Sequence, residues 1–123
     1  MSPIHSEDLQ ALLQQFRGSA KHYPHWQKHF AYSEGVKFLA DQAHCYWLLD
    51  TIADLQCRIS RAKLESIQIW HLEQHSEGHV VLKCLEDEGT PPAIVHEVEH
   101  RDFPMERFKL YLMNRVLFLP SEY

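Results

Sequence analysis

The chain has 123 residues, of which 45% are hydrophobic and 24% charged, with a formal net charge of −5, only 4 glycines and 6 prolines. That length builds one compact core and not two, and that composition, with no low-complexity tract or internal repeat, excludes a disordered or fibrous chain. One domain spanning 1–123 is expected, helical over 1–64 and sheet-forming over 65–123.

No apolar run approaches the ~18 residues of a membrane span, and Met1 to Asp8 lacks the basic start and apolar centre of a secretory signal. The expected location is the cytoplasm, without membrane association. Cys45, Cys57 and Cys84 leave one cysteine unpaired in any disulfide scheme. Cys45 and Cys57 fall on one predicted helix, roughly 18 Å apart at the usual rise, and a disulfide tolerates only about 7 Å between Cα atoms. Reduced, buried thiols are expected. The charge is uneven, since residues 1–65 hold 7 acidic and 7 basic side chains while 66–123 hold 10 acidic and 5 basic. A nucleic-acid partner calls for a basic stripe, so none is expected; Arg58, Arg61 and Lys63 cluster instead at a helix end, where cations suit the dipole.

In chain order, Ser6 can cap a first helix with Leu9, Leu12, Leu13 and Phe16 on one apolar stripe and Gly18 as its stop. Ser19 to Tyr32 is read as a short helix opening at Pro24 and carrying Trp26 and Phe30. Ser33 caps a third helix, Glu34 to about Gln42, which either continues or bends near Ala43 and His44 into a helix from Tyr46 to Cys57. In this last helix Leu48, Ile52, Leu55 and Ile59 form one ridge and Ala43, Trp47 and Asp50 another, a face wide enough to lie on a sheet.

After Leu64 the pattern turns to short runs of β-branched and aromatic residues. Strands are predicted over Ser66 to Glu73, His79 to Glu86, Ala93 to His100 and Phe108 to Met113, with a fifth over Val116 to Leu119. The short connections favour antiparallel neighbours. The expected fold is α+β, with the N-terminal helices packed on one face of a four- to five-stranded antiparallel meander.

Tyr46-Trp47-Leu48-Leu49-Asp50, Ile69-Trp70, Asp102-Phe103-Pro104, Leu110-Tyr111-Leu112 and the terminal Leu119-Pro120-Ser121-Glu122-Tyr123 together resemble an uncharacterised bacterial family of unknown function, over residues 30 to 123. Arg101 departs from that pattern, standing where a small hydroxyl residue is expected before Asp-Phe-Pro. The resemblance implies a bacterial origin and a fold, and adds no mechanism.

Ten histidines invite a metal reading. Pro24 breaks the helical face that His22, His25 and His29 would share, and the strand pairs His71/His75 and His96/His100 lack the spacing of a zinc signature, so no metal ligand is assigned. Neither a Gly-x-Ser-x-Gly elbow, a phosphate-binding glycine loop, Cys-x-x-Cys nor His-Glu-x-x-His occurs, so no catalytic residue and no cofactor is assigned. Asp50 needs an account, because a carboxylate beside Tyr46 and Trp47 near a buried face requires partners. It is expected to be mostly buried, bonded to a backbone amide, a Trp indole or an Arg; in an enzyme it would act as a base with His44, His71 or His96.

Candidate ligand- or partner-binding residues are Tyr46, Trp47, Asp50, Trp70, Asp102 and Tyr123, within an exposed aromatic set that includes Trp26, Trp70 and Tyr111. The final Tyr123 is expected to be tied down, with Glu122 pairing to Arg58 or Arg61. Two functions follow: a non-enzymatic binding or interaction module with a protein or small-molecule partner and a homodimer as an open option, or a small enzyme or ligand-binding domain using a pocket around Asp50 between helices and sheet.

Overall fold

The structure, a computed structural model, describes residues 6–17, 21–56, 58, 67–76, 78–99, 101 and 103–122. Asp102 and Tyr123, and with them the expected anchoring of Tyr123, lie outside the described residues, as do Cys57 and Arg61.

The first helix, α1 (Ser6–Leu13), buries Leu9 and Leu13 and ends before Phe16 and Gly18. Bonds from Gln15 N to Leu12 O and from Phe16 N to Leu13 O show the chain tightening to a three-residue repeat there. The segment expected as a short helix is instead a hairpin of β1 (His22–Pro24) and β2 (Ala31–Ser33), in which Tyr23 stacks on Tyr32 with centroids 5.9 Å apart. Pro24 tolerates this because β1 is an edge strand, where a missing N–H costs no ladder bond.

Ser33 caps α2 (Glu34–Ala43), its Oγ accepting from Val36 N at 3.2 Å. His44 adopts the left-handed conformation at φ 52° and breaks the chain from α3 (Tyr46–Asp54), so the two helices do not run together, and the second ends short of Cys57.

The remaining strands are β3 (Ile67–Ser76), β4 (His79–Leu85), β5 (Ile94–Glu99), β6 (Arg107–Met113) and β7 (Val116–Phe118), close to their predicted limits. The sheet nonetheless corrects the expected four- to five-stranded antiparallel meander in three respects. Among the described residues it has seven strands, in the order β1-β2-β7-β6-β3-β4-β5. It is mixed, because β2 runs parallel to β7, with Ala31 beside Val116 and Tyr32 beside Leu117. It is not a meander, since β6 leaves β5 and returns to pair with β3, the spatial order of a Greek key. Gln74 at the end of β3 pins this return by accepting Phe103 N at 2.7 Å and donating its own N–H to Glu106 O at 2.9 Å, while Phe103 and Met105 are buried.

The even-numbered residues of β3, among them Trp70 and Leu72, face the helices and join Val36, Leu39, Leu48, Leu49 and Ile52 in one core. Cys45 and Cys84 are free thiols within it, and burial pushes both up to about 12. On the other face, Lys109 Nζ lies 2.9 Å from Glu88 and Lys83 Nζ 3.1 Å from Glu73. The Lys109 bond holds the Glu88 carboxyl below the usual range; at Glu73 desolvation pushes upward, but bonds from Lys83 and His75 more than offset it.

The C-terminal 3-10 turn (Pro120–Glu122) closes onto the N-terminal half. The Glu122 carboxylate accepts from Ser33 Oγ, from Leu119 N at 2.9 Å and from Gly35 N at 3.3 Å, and Ser121 Oγ donates to Leu13 O at 3.0 Å. Glu122 thus caps α2, and among the described residues no bond joins it to Arg58, while the Arg61 alternative lies outside them; a carboxylate at a helix start satisfies amides that have no partner inside the helix. Gly35 lets the C-terminal turn approach closely, since a Cβ there would lie 2.5 Å from Leu119 Cδ1 and 2.8 Å from Glu122 Oε1 and those side chains would have to shift.

Gly35→Ala should therefore destabilise the fold by about 1–3 kcal/mol through overpacking, read as a drop of several degrees in thermal midpoint; an unchanged midpoint would contradict the close approach. For Glu88 the sign is that of a depressed carboxyl: its contribution is present above the ordinary value of 4.5 and is lost as pH falls through the lower folded value. In a carboxyl NMR titration Lys109→Met should raise the Glu88 midpoint, and an unmoved midpoint would show that Lys109 does not hold it.

Candidate functional site

The hairpin loop between β1 and β2 is fastened to α3 through Asp50. Trp26 Nε1 donates to Asp50 Oδ1 at 2.8 Å, and His25 Nε2 lies 2.8 Å from the same oxygen. One turn along the helix, Asp54 Oδ1 accepts from the Gln27 amide at 3.0 Å. Carboxylates four residues apart share a helix face, so one side of α3 holds three consecutive loop residues.

The His25 tautomer follows from its neighbours. Its Nδ1 accepts Gln27 N at 3.1 Å, so the proton sits on Nε2 and is donated to Asp50. Both ring nitrogens are committed, the ring packs 5.1 Å from Phe30, and the side chain is 3% exposed. Neither nitrogen is open to a substrate proton, and this arrangement acts as a clamp, unlike an acid–base pair whose imidazole faces its substrate. The Asp50 side chain is 44% exposed, correcting the expectation of a mostly buried carboxylate, and its histidine partner is His25 and none of His44, His71 or His96. Of its two partners, His25 is buried and Trp26 exposed.

Of the predicted residues, Tyr46, Trp47 and Asp50 share α3. Tyr46 is exposed, and its hydroxyl donates to Asp41, which also receives Lys37 Nζ at 2.8 Å. Desolvation and then the Asp41 carboxylate push the Tyr46 hydroxyl up, while bonds from Lys37 and Tyr46 hold Asp41 down. Trp47 is half-buried against the core. Trp70, expected among exposed aromatics, is 1% exposed, with its Nε1 donating to Gln68 Oε1 at 3.0 Å beneath a reciprocal Gln56–Gln68 amide pair. It is a core residue, because Gln68 supplies the acceptor that its indole would otherwise seek in water. Tyr111 is half-buried beside Phe118. The sequence reading missed His25 as the Asp50 partner and Gln27 as the Asp54 partner; the available signal was the polar His-Trp-Gln run directly after Pro24.

A second feature lies elsewhere. Between α1, strands β3 and β6 and the C-terminal turn there is a cleft of about 610 Å³, lined by Leu13, Leu72, Met105, Phe108, Leu119 and Pro120 together with His71, Glu73, Arg107, Lys109 and Ser121, with the exposed Gln10 and Gln14 at its mouth. Its volume is within the few hundred to about 1,000 Å³ usual for small-molecule sites. Asp50 does not line it, so the expected pocket between helices and sheet exists but is not built around that residue. Among the described residues no three His, Cys, Asp or Glu side chains are placed to share a metal ion, and no helix is long and apolar enough to cross a membrane.

Among the described residues the architecture is that of an α+β domain with helices α1 to α3 laid on a mixed seven-stranded sheet and a cleft under the first helix. The chain belongs to a family of unknown function, DUF6876, which matches residues 7–123 and so extends further toward the N-terminus than the resemblance over 30 to 123. No curated protein and no solved structure matches it.

Asp50→Ala removes the acceptor from the buried His25 N–H and from Trp26. The expected loss is about 1–3 kcal/mol in urea denaturation, the cost of a buried donor left unsatisfied, and an unchanged urea midpoint would show that the clamp carries no stability.

Proposed function

We propose that the protein is a bacterial, cytoplasmic, non-enzymatic binding module that takes a small amphipathic ligand in the cleft under α1. The observation that carries this reading is the cleft itself, whose lining joins the apolar Leu13, Leu72, Met105 and Phe108 to the polar and charged Gln10, Gln14, His71, Glu73, Arg107 and Lys109. Such a lining suits a ligand with an apolar body and one hydrogen-bonding end, held by burial and oriented by Gln10 and Gln14. The free, buried Cys45 and Cys84 thiols support a reducing compartment. The alternative of a small enzyme using Asp50 as base loses support, because the His25 imidazole has no open nitrogen and the cleft is built without Asp50.

The test uses an anilinonaphthalene sulfonate dye with the folded full chain. One saturable site is expected, and Gln14→Trp, which obstructs the mouth from an exposed position, should weaken it by about tenfold or more without lowering the thermal midpoint. Dye binding that is non-saturable, or unaffected by Gln14→Trp, would contradict the assignment.

A further inference from the structure

Two turn tips lie side by side at one edge of the sheet, and both hold a cation in a backbone conformation that glycine adopts more cheaply. The β1–β2 loop closes a turn by Lys28 N donating to His25 O at 2.9 Å, and Lys28 itself has φ 64°. The β6–β7 hairpin turns through Asn114 at φ 53° and Arg115 at φ 63°. Positive φ at both central positions marks a type I′ turn, whose second such position is ordinarily Gly. A side chain in that region brings Cβ against the carbonyl oxygen, which favours glycine at both sites for stability alone.

The tips are locked to each other. Ala31 N donates to Arg115 O at 2.9 Å, and Arg115 Nη2 donates to Lys28 O at 3.4 Å. Beside them Trp26 is 72% exposed, yet its indole N–H is held by Asp50. The exposed ring is thus an oriented apolar surface without a hydrogen-bonding demand of its own, next to two cations fixed at strained positions. Strain of this kind persists where the residue serves something other than the fold.

We propose that the paired tips form a recognition site for an acidic, extended protein segment, with its carboxylates on Lys28 and Arg115 and an apolar side chain on the Trp26 ring. A planar guanidinium fits a carboxylate with two N–H groups, and an aromatic anchor beside a cation is the usual composition of a small binding hot spot. A peptide is favoured over a polyanion such as nucleic acid because the chain carries a net charge of −5, which repels a long anion more than a short segment.

The experiment is an NMR titration of the 15N-labelled full chain with a synthetic peptide of alternating glutamate and leucine. Its glutamine-for-glutamate counterpart and a thymidine oligonucleotide of equal charge are run beside it. The amides of Lys28 and Arg115 and the Trp26 indole N–H are expected to shift saturably with the acidic peptide, and the neutral peptide to bind about tenfold more weakly or worse. Lys28→Gly and Arg115→Gly should each weaken binding several-fold while leaving the thermal midpoint unchanged or raised. Lys28→Asn and Arg115→Asn, which also accept the left-handed conformation, provide a second pair should a glycine variant fold poorly. Shifts absent at millimolar peptide, equal binding of the neutral peptide, tighter binding of the oligonucleotide, or substitutions that lower the midpoint without weakening binding would each overturn the proposal.

Discussion

Two residue pairs, Ala31 beside Val116 and Tyr32 beside Leu117, join the beginning of this chain to its end. A parallel pair cannot be made by a tight turn, and here the crossover that joins its strands is nearly the whole intervening chain. Its consequences run through the molecule. It sets Ser33 next to the C-terminal turn, where Glu122 reaches the first amides of α2, and it brings Ser121 against the end of α1. The wall of the cleft that α1 contributes is therefore held by the other end of the chain. The same junction fixes the β1–β2 hairpin from one side while α3 fixes it from the other through Asp50 and Asp54.

Local pattern made the strands after Leu64 legible, because alternation over six to ten residues has few other readings. It also made α2 legible from the Ser33 cap. Strands β1 and β2 escaped such reasoning: His22 to Pro24 and Ala31 to Ser33 are too short for a period and, unlike the equally short β7, do not follow a longer strand across a two-residue turn, while Trp26 and Phe30 fall by accident at helical spacing. Strand order was hidden for a different reason. The connection from Glu99 to Arg107 can serve either as a hairpin loop or as a return across the sheet, and in the return Gln74 holds its second half, accepting Phe103 N and donating to Glu106 O.

The candidate site was legible only in part. Asp50 stood out as a carboxylate that needed partners, and it has them, but they arrive from twenty-five residues earlier in the chain and leave it half-exposed. Trp70 was misread because a tryptophan in a strand carries no mark of whether its indole will find an acceptor indoors; here Gln68, two residues away, provides it. The cleft left no signal at all. Leu13, Leu72 and Met105 have the composition of core residues, and only the way α1 stands over β3 and β6 leaves space between them.

The fold therefore keeps its polar requirements at two clamps, one at Asp50 and one at Glu122, and leaves apolar surface unfilled between α1 and the sheet. Binding in that space is the central claim, and intermolecular nuclear Overhauser effects from the bound naphthalene dye test it most directly. The account predicts contacts from the dye to the methyl groups of Met105, Leu72 and Leu13. Contacts confined to Trp26 and Tyr46, with none to those methyls, would contradict it.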